Sequence, residues 1–381
     1  MKPAVLNGAI VVGTGVVVLV MIGVFVLSSS SSAAAGALRV RGADVSFTLQ
    51  NEAVGNPVYD GVDAQPVEQI LAQHGANYVR LRVWVAPSDG HNNLDETLQL
   101  ARRASAAGLG IILNLHFSDT WADRTSQTTP QAWASANPEQ LATTVETYTR
   151  AVVDSLSVQG TPPDIVQVGN EVTFGMLWPV GQIYGSHGEH WGNFTDLLKA
   201  AVRGAAGSEL RSAPEIMIDV DTGGDVAMST YFFDNIEAAG VPYDLIGLTY
   251  YPFWHGSLAD LKNNVDTLAT RYNKDVLIAE TSYPWTLDDA DSEANVVTSA
   301  SELPDGDLYP PTPTGQKEFY QALRQLLLDV PGGHGAGFLV WEPGWLAGVG
   351  AGSGLGNAFD NLTLFDHTGR ALSALDSFAA P

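Results

Sequence analysis

Short runs of β-branched and aliphatic residues recur along the chain, each followed by a longer stretch with helical spacing. The runs are "ADVSFTLQ" (43–50), "YVRLRVWV" (78–85), "GIILNLHFSD" (110–119) and "DIVQVGNE" (164–171). They continue with "IMIDVDTGG" (216–224), "DLIGLTYYP" (244–252), "DVLIAETSYP" (275–284) and "GAGFLVWEP" (335–343). Runs this apolar fit strands buried on both faces, as in a parallel sheet. Between them Leu141, Val145, Tyr148, Val152 and Leu156 repeat at three- and four-residue steps, which predicts a helix with one apolar face. Asn137 and Pro138 mark its start, and Gly160 and Pro162 its end. Leu94, Leu98, Ala101 and Ala104 repeat in the same way up to Gly108, and helical patterns lie near 191–206, 258–272 and 314–329.

Eight strands alternating with helices predict an α/β fold, a (β/α)8 barrel with long loops after its strands. An open doubly wound sheet would want a glycine-rich phosphate loop after its first strand, and none is present. In a barrel the reactive side chains gather at the carboxyl ends of the strands. Those ends carry Arg80, Arg82 and Trp84, then His116 and Asp119, then Asn170 and Glu171. Tyr250, Tyr251, Glu280, Trp341 and Glu342 follow.

Residues 9–27, "AIVVGTGVVVLVMIGVFVL", hold no charge and are long enough to span a bilayer at about 20 residues. With Lys2 ahead and a serine run behind, residues 1–27 read as an export segment, either a cleaved signal peptide or a retained membrane anchor. Residues 28–41 read as a Ser/Ala-rich linker and 42–381 as the catalytic barrel. The protein is therefore expected outside the cell, in contact with the membrane if the segment is kept.

The 381 residues contain 18 basic and 42 acidic side chains, a net charge of −24. That excludes nucleic acid as a partner, because phosphate binding needs a basic footprint. A neutral polymer is not repelled. There is no cysteine, so disulfides, thiolate metal sites and cysteine nucleophiles are excluded. His187 and His190, three apart in "HGEH", do not have the zincin spacing and read as a solvated loop.

Glu171 and Glu280 each end an apolar run. Two carboxyls facing one cleft suit glycosidic bond cleavage, one as proton donor and the other as nucleophile or base. Seven tryptophans, Trp84, Trp121, Trp178, Trp254, Trp285, Trp341 and Trp345, fall at or after strand ends, as a groove for sugar rings would need.

Together "LRVWV", "LHFSDTWAD", "VGNEVTFGMLWPVG", "TYYPFW", "AETSYPWT", "WEP" and "NLTLFD" resemble the endo-β-1,4-galactanases of glycoside hydrolase family 53, in that family's order and over nearly the whole chain after residue 42. The resemblance implies that Glu171 is the general acid/base and Glu280 the nucleophile of a retaining mechanism. It implies that Arg82, His116, Asp119, Asn170 and Tyr250 line the subsite of the attacked sugar, and that Trp121, Trp285 and Trp341 offer stacking surfaces. Two departures stand out: Arg124-Thr125-Ser126 after "DTWAD", and Val172-Thr173-Phe174 after "GNE". In "DADSEAN", Asp289, Asp291, Glu293 and Asn295 alternate. By resemblance to bacterial galactanases they would bind a structural Ca2+ with Asn357 and Asp360; a solvated acidic turn is the other reading. The chemistry itself needs no cofactor. The expected activity is hydrolysis of internal β-1,4-galactosidic bonds in galactan or type I arabinogalactan, by a monomer. The alternatives are a related barrel glycosidase acting on mannan, xylan or cellulose, and a catalytically silent polysaccharide-binding protein.

Overall fold

The computed structural model describes residues 37–186, 188–207, 213–351 and 356–379. The apolar segment 1–27, most of the linker and His187 lie outside these residues. Among the described residues no helix is long and apolar enough to cross a membrane.

Eight parallel strands close into a barrel in sequential order. They are β1 (Val40–Asp44), β2 (Tyr78–Val83), β3 (Gly110–Leu115), β4 (Ile165–Val168), β5 (Glu215–Val220), β6 (Leu245–Thr249), β7 (Asp275–Thr281) and β8 (Gly335–Trp341). The helices α1 (Val67–Gln73), α2 (Leu94–Ala106), α3 (Pro138–Val158), α4 (Gly192–Ala206), α5 (Val226–Ala239), α6 (Leu258–Tyr272) and α7 (Pro313–Leu328) surround it. A 3-10 segment, Ser373–Phe378, stands in the place of an eighth helix. Its Leu375 and Phe378 are buried, and the Phe378 carbonyl accepts a 2.8 Å hydrogen bond from Arg41 Nε. β1 begins at Val40, so Val40 and Arg41 belong to the barrel and not to the linker, and the chain turns helical at Thr48–Ala53 where an extended run was expected.

Helix starts follow their capping chemistry. Asn137 and Gln140 form a reciprocal capping box at α3 with Pro138 at the first position, and Ser257 and Asp260 do the same at α6. The Asn93 side chain accepts from the Glu96 N–H at the start of α2.

Alternation along the strands separates two packing faces. Val79, Leu81 and Val83 of β2 pack outward among the helices. Facing inward, Val40, Ile112, Ile165, Met217, Leu245, Leu277 and Leu339 fill the lower barrel. Further along, inward positions of four strands become polar: Asp44, Asn114, Gln167 and Asp219, all fully buried. The next pleat opens to solvent. An apolar plug thus carries a buried polar layer, and the carboxyl-end cleft rests on that layer.

Candidate active site

A cleft of about 540 Å³ lies over the carboxyl ends of the strands, lined among others by Arg82, His116, Asn170, Glu171, Tyr251 and Glu280. Glu280 does not follow the simple alternation, because Leu277 and Ala279 already point inward. Register shifts between β6 and β7 and between β7 and β8 re-aim it. Its two oxygens accept from Arg80 Nη1 at 2.8 Å and from the Tyr251 hydroxyl at 3.0 Å.

Arg80 organises the floor. Its guanidinium is buried and also donates to Asp44 Oδ2 (3.0 Å), Gln167 Oε1 (2.9 Å) and Asn170 Oδ1 (2.7 Å). Buried charge on this scale is tolerated only when every donor is matched. Asn170 is fixed from three sides: Arg80 and Asn114 Nδ2 (3.0 Å) donate to its oxygen, and its own amide donates to the Ala122 carbonyl (2.9 Å).

Glu171 is half-buried with a left-handed backbone, φ 47°. Its N–H donates to Asp219 Oδ2 at 3.1 Å, which holds a conformation that non-glycine residues seldom adopt. Burial first, then the charges of Glu280, Asp221, Asp219 and Asp123, push its carboxyl well above the ordinary range. Burial likewise pushes Asp219 up to about 7 and Asp221 up to about 6. His116 is held neutral by burial and by Arg82 and Arg80. Its Nδ1 accepts from Trp84 Nε1 and from the Ala122 N–H, each at 3.3 Å, so the ring proton sits on Nε2.

One wall is aromatic. Phe47 stacks on Trp345 at 4.2 Å, Trp341 meets Phe359 edge-on at 4.9 Å, and the Arg82 guanidinium lies 4.4 Å over Trp121. Arg82 is anchored from behind by Glu342 at 3.2 Å. Of the seven tryptophans, Trp121, Trp254, Trp341 and Trp345 line the cleft.

Three expected site residues fall elsewhere. Tyr250 is fully buried, and its hydroxyl donates to the Gly256 carbonyl. Thr249 points inward, so alternation turns Tyr250 out of the cleft and Tyr251 into it. Asp119 ties loops together, accepting from the Ala86 and Gln131 N–H groups. The Trp285 ring packs on His367 at 4.7 Å and does not line the cleft. Arg80 and Tyr251 stood out in the sequence only as strand-end residues without a role, and Asp44, Asp219 and Asp221 did not stand out at all. Polar residues two positions beyond the inward-facing Ile112, Ile165 and Met217, namely Asn114, Gln167 and Asp219, were the available signal for the buried polar layer.

Between the β7 and β8 loops, Asp289, Asp291 and Asp360 each bring an oxygen within 4.8 Å of the others. Asp360 is buried and its Oδ1 has no hydrogen-bond partner among the described residues, nor has the buried Asn295 Oδ1. Glu293 is exposed and outside this cluster. Asn357 uses its amide on the Trp345 carbonyl and its oxygen on the Phe359 N–H.

A closed (β/α)8 barrel with two glutamates at strand ends, over a polar floor and beside an aromatic wall, defines a glycoside hydrolase. The family model described as glycosyl hydrolase family 53 matches residues 40–378, and the chain belongs to that family. An uncharacterised protein of Niallia circulans is 40% identical over 90% of this chain and 93% of its own. A probable arabinogalactan endo-β-1,4-galactanase A of Neosartorya fischeri is 37% identical over 90% of this chain and 93% of its own. A solved structure of a fungal β-1,4-galactanase, 34% identical, superposes with a TM-score of 0.79 over 90% of this chain and 99% of that one.

Proposed function

We propose that this protein hydrolyses internal β-1,4-galactosidic bonds of galactan and type I arabinogalactan with retention, Glu171 acting as acid/base and Glu280 as nucleophile. The observation that carries the assignment is the opposed setting of the two carboxyls. Glu280 accepts from a guanidinium and a phenol, one on each oxygen, which fixes the carboxyl in place at the base of the cleft. Burial first, and then the surrounding carboxylates, raise the Glu171 pKa, which suits a proton donor to the leaving oxygen. Asn170, held by Arg80 and Asn114, would bind the 2-hydroxyl of the attacked sugar, a contact that strengthens in the transition state. Relatives named for galactan support the substrate. A polymeric substrate places the activity outside the cell, in keeping with an exported N-terminal segment.

Asp289, Asp291 and Asp360, with the Asn295 oxygen that has no hydrogen-bond partner among the described residues, are a hard-oxygen set that fits Ca2+. Bound there, the ion would brace two loops and supply no chemistry. The deciding experiment is release of reducing ends from galactan, mannan and xylan. Galactan should be cut far faster than the others, and equal or greater action on mannan or xylan rejects the reading.

A further inference from the structure

The loop after β4 builds a second cleft. A turn at Val172–Phe174 leads into two small antiparallel pairs, Gly175–Met176 with Gly181–Gln182 and Tyr184–Gly185 with Gly188–Glu189. Between these pairs and the start of α5 lies an open groove of about 760 Å³, lined mainly by Phe174, Trp178, Tyr184, Trp191, Met228 and Tyr231. Tyr184 is 42% exposed and Tyr231 48%, a large aromatic area to leave in water. The rings are nevertheless held in place. Tyr184 meets Phe174 edge-on at 5.6 Å, and Trp191 meets Tyr231 at 6.2 Å. Glu189 accepts hydrogen bonds from both the Trp191 indole and the Tyr231 hydroxyl.

This groove adjoins the catalytic cleft through one shared wall. Arg124 has its N–H 3.4 Å from Glu171 Oε2 and its Nη1 3.1 Å from Asp221 Oδ2. Its guanidinium lies 5.0 Å from the Phe174 ring centre. The Thr173 hydroxyl donates to Asp221 Oδ1. Arg124 and Asp221 line the first cleft, Thr173 and Phe174 the second. The wall is built from the two stretches, 124–126 and 172–174, that depart from the family pattern.

We propose that this groove binds galactosyl units of the leaving-group portion of the polysaccharide, beyond the unit bonded to the departing oxygen; the proposal rests on the galactan-cleaving reading above. Direction follows from the chemistry. The proton donor stands beside the leaving oxygen, and Arg124 and Phe174 lie immediately past Glu171. Trp121, Trp341 and Trp345 line the catalytic cleft and not the groove, and the Arg82 guanidinium lies over Trp121, which suits the portion that stays on the enzyme. The occupant is neutral, as a chain of net charge −24 prefers. β-Galactopyranose carries the C–H bonds of C3, C4 and C5 on one face, which stacks on a phenol or indole, while its hydroxyls reach Glu189 and Asp225 at the rim. The shared wall with the cleft favours the substrate over an unrelated protein partner.

The test is the double variant Tyr184→Ala/Tyr231→Ala in the full chain. Both side chains are exposed, so an unchanged melting temperature is expected to show an intact fold. The measured quantity is the ratio of kcat/KM on galactan to kcat/KM on an aryl β-galactobioside, which has no sugar on the leaving side. The ratio should fall about tenfold, the loss of one or two aromatic stacking contacts. Cleavage of a reducing-end-labelled galactohexaose should also move along the chain. An unchanged ratio, whether both activities fall together or neither does, overturns the inference; the second case would leave the groove to a protein partner. A parent protein that leaves galactan uncut overturns the substrate reading and this inference together. A parent protein that cuts galactan with a ratio indifferent to the two tyrosines overturns only the groove.

Discussion

Glu171 and Glu280 are chemically the same residue, and only their neighbours distinguish them. If Glu280 is the nucleophile, Glu280→Ala should be nearly inactive on every substrate, and azide entering the vacated space should give the α-galactosyl azide. Glu171→Ala should still react with an aryl β-galactobioside bearing a good leaving group, then stall, and azide should restore turnover as the β-azide. The opposite pair of products, read by NMR, reverses the roles. Asp221 offers a finer test of the acid. A carboxyl with a raised pKa keeps its proton to higher pH, so kcat/KM on galactan should fall as pH rises through the Glu171 value. Asp221→Asn removes one of the negative charges that hold it up. The Glu171 pKa should drop, and the basic limb of the profile should move to lower pH. A limb that stays in place, or moves up, would show that Asp221 does not act on Glu171.

At the scale of strands and helices, close packing limits what a side chain can be. Gly337 of β8 has φ 149°, and a Cβ there would lie 1.7 Å from the Val40 carbonyl oxygen of β1. Gly337→Ala should cost about 3 kcal/mol or more in denaturant unfolding, because neither strand can retreat within a closed barrel. Gly160, just beyond α3, has φ 91° but open space around it. Gly160→Ala should cost only about 1–2 kcal/mol, the conformational term alone. Equal costs would mean the barrel yields where β8 meets β1. The same physics explains what could be read from the chain. Strands β2 to β8 were legible because both their faces are buried, which makes unbroken apolar runs. Helices α2, α3, α4, α6 and α7 were legible from spacing and caps. α5 was not, since Phe232 and Phe233 put apolar bulk on adjacent positions and blur the period. The catalytic candidates were visible because a glutamate ending an apolar run is costly. Tyr251 was mistaken for Tyr250 because strand ends cannot be located to one residue, and one residue exchanges inside for outside. Arg80 was seen, but its four partners come from β1, β4, the β4 loop and β7, and no local pattern records them.

Over the whole molecule, 42 acidic residues against 18 basic set up a field that a neutral substrate does not feel. kcat/KM on galactan should therefore change by less than about twofold between low salt and 0.5 M NaCl, while a charged substrate would respond to screening. The acidity matters where it is concentrated, between the β7 and β8 loops. Asp291 accepts from the Gly348 and Asn357 N–H groups at 3.0 and 2.8 Å, and the Ala290 N–H donates to Asp360 at 3.2 Å. These bonds tie the two loops without any ion. They leave three carboxylates crowded together, with the Asp360 Oδ1 and Asn295 Oδ1 buried and without hydrogen-bond partners among the described residues. Like charges in that arrangement repel, and a divalent cation turns the repulsion into attraction. Calcium should thus raise the melting temperature without being needed for folding. A hundredfold excess over its Kd is worth about 2.7 kcal/mol, which for a barrel of this size is a shift of a few degrees, roughly 2–4 °C per kcal/mol at most. EDTA should lower the melting temperature, added Ca2+ should restore it, and Asp360→Asn should abolish the response. Activity on an aryl β-galactobioside should survive chelation at moderate temperature, because neither Glu171 nor Glu280 touches the cluster. A melting temperature indifferent to EDTA, with no calcium in elemental analysis of the native protein, would reduce "DADSEAN" to an acidic turn held by its own backbone.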